Sequence, residues 1–85
     1  MNLNGTQETE ELRNKLLQLH RKLQECEGNI TWTTAKRIEE GPLNPFQRKF
    51  FKELDEAYQR EKRALAAEIG RIERSIRTRE TNERT

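Results

Sequence analysis

Leucines recur along the first third of the chain at the spacing of one helix face. Leu12, Leu16, Leu19, Leu23 and Cys26 follow in steps of four, three, four and three, a heptad a/d seam. Leu17 widens the stripe, and Glu8, Glu10 and Glu11 precede it, where acids suit the positive end of a helix. Gly28-Asn29 then offers two residues tolerant of a left-handed cap, which predicts that this helix stops at about Glu27.

The next stretch changes character. Ile30-Thr31-Trp32-Thr33-Thr34 supplies several N-caps, and Ala35 to Glu40 can form a short connecting helix with Ile38 inward, ended by Gly41-Pro42. Trp32, the largest apolar side chain, is expected to plug the space between two longer helices, with a partner contact as the alternative. Phe46 and Phe51 are further candidate anchors. Asn44-Pro45-Phe46-Gln47 is the strongest local signal: Asn at the cap, Pro at the first helical position and Gln at the third. Proline there lacks only a donor that a first turn cannot use, and Gln47 can answer Asn44 in a capping box.

No proline follows Pro45. The apolar seam reads Phe51, Leu54, Tyr58, Glu61, Leu65, Ile69, Ile72, Ile76, with two successive steps of four between Glu61 and Ile69. Such a stutter locally unwinds a left-handed supercoil. Glu61 is a polar interruption of the seam or is rotated to solvent, with Ala57 and Ala64 carrying the face. Gly70 falls inside this segment, where glycine costs about 1 kcal/mol relative to alanine.

The expected organisation is a flexible N-terminus at 1–7, one helical domain at 8–78 with helices at about 8–27, 33–40 and 45–78, and a flexible C-terminus at 79–85. The fold class is all-α: a helical hairpin with a short connecting helix and one long C-terminal helix. Folded antiparallel, a first helix of that length leaves roughly ten residues of the longer one uncovered. Leu65, Ile69, Ile72 and Ile76 would then be exposed, leaving several kcal/mol of burial unclaimed at about 25 cal/mol per Å². A second copy of the chain is the simplest cover, so a coiled-coil-like dimer is expected through these four residues, with another helical protein as the alternative.

Composition narrows the picture further. The chain has 85 residues, 31% of them apolar and 38% charged, so any core is thin. Valine is absent, and Leu, Glu, Lys, Arg and Gln dominate, which disfavours sheet. No window approaches eighteen apolar residues, so no transmembrane helix or membrane partner is expected, and the N-terminus lacks the basic and apolar regions of a signal peptide. A single cysteine excludes an internal disulfide and fits a reducing, cytoplasmic setting.

Catalytic chemistry finds little to work with. His20 and Cys26 are the only such residues, six apart and pointing away from each other, so no zinc constellation arises. Ser75 is the only serine and has no recognisable activating base. Acid–base runs such as Glu56 with Arg60 suggest a solvated, ion-paired helix face. No catalytic residue, metal ligand or cofactor is expected.

Nucleic acid binding has two routes. Residues 25–40 resemble the general helix-turn-helix motif: a Gly turn, Ile30 inward, a Thr cap, and a short helix presenting Lys36 and Arg37. Glu39 and Glu40 oppose that use. The other route is Arg71, Arg74 and Arg77, which step by three and could track phosphates, with Glu73 and Glu80 diluting their field. The formal net charge is only +2. The leading expectation is a small non-enzymatic protein–protein interaction or regulatory module. The alternative is a small helix-turn-helix-like DNA-binding regulator.

Overall fold

The computed structural model describes residues 3–84, and the side chains of residues 7–82. It consists of two long helices, α1 (Leu3–Glu39) and α2 (Pro45–Arg84), joined by a short turn. They run antiparallel, as ion pairs joining Glu8 to Arg79 and Lys15 to Glu68 require. The hairpin measures 64 × 15 × 14 Å. Its helices contain 37 and 40 residues, so they are matched in length.

That match corrects the expected three-helix arrangement. α1 does not stop at Glu27, and the separate connecting helix at 33–40 is its final part. Gly28 and Asn29 lie in the middle of a continuous helix, where both are poor formers. Tertiary packing overrides that local cost because the heptad passes through them without a break. Thr9, Leu12, Leu16, Leu19, Leu23, Cys26, Ile30 and Thr33 are all buried or half-buried, in alternating steps of three and four. The threonines after Ile30 are accommodated by donating their hydroxyls one turn back: Thr31 to the Glu27 carbonyl at 3.0 Å, Thr33 to Asn29 at 2.8 Å, Thr34 to Ile30 at 3.1 Å. Residues 3–7 and 79–84, expected to be loose, are helical; residues 1, 2 and 85 lie outside the described residues.

The seam of α2 is also unbroken. Phe51, Asp55, Tyr58, Lys62, Leu65, Ile69, Ile72, Ile76 and Arg79 are covered at steps of four and three throughout. The anticipated stutter is absent, because Lys62 rather than Glu61 occupies the seam. Its aliphatic stem can lie along the interface while its ammonium reaches Glu27 at 4.0 Å, and Glu61 is exposed.

The turn is built by local chemistry. Gly41 has φ +68°, the left-handed conformation that costs a residue with a Cβ about 1 kcal/mol or more. Its amide donates to the Ile38 carbonyl at 3.2 Å, closing α1. Pro42 has no amide with which to extend the cap. α2 then opens with the capping box expected from Asn44 and Gln47. The Gln47 amide donates to Asn44 Oδ1 at 2.8 Å, and the Asn44 amide donates to Gln47 Oε1 at 3.0 Å.

Leu65, Ile69, Ile72 and Ile76 are buried against α1 together with Leu19 and Cys26, and Leu12, Leu16, Leu23, Ile30 and Tyr58 pack on this cluster. The stripe expected to need another chain is thus covered from within. Because α1 continues twelve residues past Glu27, to Glu39, its leucines are carried far enough from the turn to face that stripe.

Candidate interaction surfaces

Heptad phase sorts the surface. Placing Leu16, Leu23 and Ile30 at a in α1, and Asp55, Lys62 and Ile69 at a in α2, makes b, c and f the outward positions. In an antiparallel pair the g positions of both helices share one flank and the e positions the other. The ion pairs agree: Lys15 to Glu68 joins g to g at 3.5 Å, and Arg13 to Glu80 joins e to e.

At the turn half, large apolar side chains lie outside. Trp32 is 54% exposed, Phe50 53%, Ile38 76% and Phe46 80%. Trp32 and Phe50 occupy the c positions beside Thr33 and Phe51, which places them on the same flank as half-buried Leu54 at g. Of the three expected anchors, only Phe51 is buried; it meets Phe50 edge-on with ring centroids 5.5 Å apart. Trp32 is not a plug. The continuous helix turns Thr33 into the seam and Trp32 outward, where Lys36 lies 6.0 Å from its ring centroid. Phe46 belongs to the first turn of α2, at an f position facing away from α1.

Toward the other end, α2 presents a basic face. Its outward positions from Ala57 to Thr81 are five arginines (60, 63, 71, 74 and 77), three alanines, one glycine and two threonines, with no acid among them. None of the five arginines is in an ion pair among the described residues. The within-helix pair expected between Glu56 and Arg60 does not form. Pairing instead crosses the seam, engaging Glu80 with Arg13, Glu68 with Lys15, and Arg79 with Glu8 at 2.6 Å.

The two sets of candidate nucleic-acid contacts are far apart. Lys36, paired with Glu39 at 3.5 Å, and Arg37 lie near the turn, roughly 40 Å along the hairpin from Arg74. The helix-turn-helix geometry is absent, since residues 25–39 are one uninterrupted helix with no turn at Gly28.

Cys26 is 2% exposed, and its thiol donates to the Tyr58 carbonyl at 3.2 Å. Burial pushes its pKa above the ordinary 9.0, and the Glu61 carboxylate adds to that rise. A protonated, enclosed thiol is a packing group. Among the described residues, no three His, Cys, Asp or Glu side chains converge to hold a metal, and no helix is long and apolar enough to cross a membrane. Compared with protein-family models, curated proteins and solved structures, the chain shows no match.

Proposed function

We propose that the chain is a non-enzymatic helical interaction module that pairs with a second copy of itself through the exposed apolar flank of its turn half. The observation that carries this is the outward placement of Trp32 and Phe50 on one flank, beside Leu54, while the polar Thr33 and Asp55 take seam positions. Bulky aromatics are costly to leave in water and are enriched at the centres of interfaces.

The shape supports the same reading. The radius of gyration is 19.0 Å, against about 12 Å for a compact domain of this length. The accessible surface is 6847 Å², against about 5,300 Å² for a compact monomer of this mass. Packing two hairpins flank to flank would convert a two-helix rod into a four-helix arrangement and give Trp32 and Phe50 a partner surface.

The test is solution mass by light scattering, with helicity followed by circular dichroism. The intact protein is expected at twice 10.2 kDa, and a Trp32→Glu, Phe50→Glu double variant at 10.2 kDa with its helicity retained. An intact protein that stays at 10.2 kDa at high concentration sinks the proposal.

A further inference from the structure

The basic face of α2 is independent of that flank and of the seam. Over Arg60 to Arg77, roughly 26 Å of helix, five exposed guanidinium groups have no acidic partner among the described residues. Two of the carboxylates that dilute this stretch in the sequence are withdrawn from it by pairing, while Glu73 borders the surface of Arg71, Arg74 and Arg77. Glu68 and Glu80 are drawn across to Lys15 and Arg13, and Glu61 and Glu73 sit at flanking g and e positions. The acids Glu53 and Glu56 bound the face on its turn side.

We infer that this face binds the phosphate backbone of duplex nucleic acid without reading its bases. Arginine presents a planar fork suited to phosphate oxygens, and Arg71, Arg74 and Arg77 repeat it along roughly 9 Å. Between the arginines the surface is Ala64, Ala67, Gly70 and Thr78, too small to hold a backbone away from the helix. No aromatic side chain lies among these outward positions, so unstacked single-stranded bases have no platform here. No large apolar side chain lies among them either, so a lipid surface gains no insertion. What remains is charge complementarity to a regular polyanion, a contact that positions but does not specify.

The test uses the full chain, a labelled random-sequence DNA duplex and fluorescence anisotropy across a salt series. With up to five phosphates neutralised, the logarithm of the binding constant should fall with the logarithm of salt at a slope approaching about −4.5. The Arg71→Gln, Arg74→Gln, Arg77→Gln triple variant should bring that slope to about −2 and weaken low-salt binding by more than tenfold. A triple variant with equal charge removed elsewhere, Arg21→Gln, Lys22→Gln, Lys49→Gln, should keep the parent slope. Circular dichroism and solution mass should be unchanged in both, since none of the six residues lies in the seam and Lys49, although next to Phe50 in the chain, stands at an outward b position turned away from the flank of Leu54. No duplex binding at low salt overturns the inference. So does an equal loss in both triple variants, or binding to phosphatidylserine vesicles in the absence of duplex binding.

Discussion

Toward the ends of the chain the seam is mainly aliphatic, closed by Thr9 and Arg79: Leu12, Leu16 and Leu19 face Leu65, Ile69, Ile72 and Ile76, and ion pairs from Glu8, Arg13 and Lys15 clasp its edges. Toward the turn the same heptad is filled by Cys26, Ile30 and Thr33 against Phe51, Asp55, Tyr58 and Lys62. The outward faces reverse this order, with arginine over the aliphatic half and aromatic side chains over the mixed one. One half of the hairpin completes its own core. The other keeps Thr33, Asp55 and Lys62 in its seam and leaves Trp32, Phe46 and Phe50 exposed, with Phe51 alone of its phenylalanines buried. A regular repeat therefore sets which residues face inward, while the residues placed on it decide where the molecule has burial left to gain.

The largest effect should separate the two halves directly. Ile69→Ala removes a fully covered aliphatic side chain and should cost about 2–5 kcal/mol in urea denaturation. Ile30→Ala, at a half-buried position of the turn half, should cost about 1–2 kcal/mol. Equal losses would break the contrast. Gly28→Ala acts in the opposite direction. Nothing lies within 4 Å of where its Cβ would stand, and the helix is continuous there, so alanine should stabilise by about 0.5–1 kcal/mol. Thermal unfolding would register this as a rise of a few degrees. A fall instead would mean that α1 bends or opens at Gly28.

The smallest effect concerns pH. Because the folded chain holds the Cys26 proton more tightly than the unfolded chain, that contribution is intact below 9.0 and declines as pH rises from there through the folded value. Denaturation midpoints at neutral and strongly alkaline pH should differ less in Cys26→Ala than in the parent. An identical alkaline loss in both would remove Cys26 as a source.

Much of this architecture was legible in the sequence. The helical class, the leucine seam from Leu12 to Cys26, the isoleucine seam from Leu65 to Ile76 and the Asn44–Gln47 cap all follow from spacing and side-chain chemistry. The structure departs from the sequence pattern where local preference and long-range packing disagree. Gly28-Asn29 carries a stop signal worth about 1 kcal/mol for the glycine and less for the asparagine, which a seam running on through Ile30 and Thr33 outweighs. The signal that could have revealed this was phase, since Cys26, Ile30 and Thr33 keep the four-three alternation. The apparent stutter disappears because Asp55 and Lys62, not Leu54 and Glu61, face α1: the long stem of Lys62 suits a seam, whereas Asp55 follows from phase alone, four residues after Phe51 and three before Tyr58. The surfaces were less legible. The exposure of Trp32 follows only once the helix is known to continue, and the free arginines stand out only once Glu68 and Glu80 are seen to pair across the seam.

The unbroken heptad in both helices has a consequence for length. Seven residues advance a helix by about 10.5 Å and return each side chain close to its starting orientation in the supercoil. Removing one heptad from α1 and the facing heptad from α2 would shorten the rod by that amount and leave the turn, the remaining seam and both outward faces in register. Removing one residue from either helix would rotate everything beyond it by about 100° and set seam against solvent. The hairpin is thus a ruler graduated in heptads, on which the distance between the aromatic flank and the arginine face can change only in whole steps.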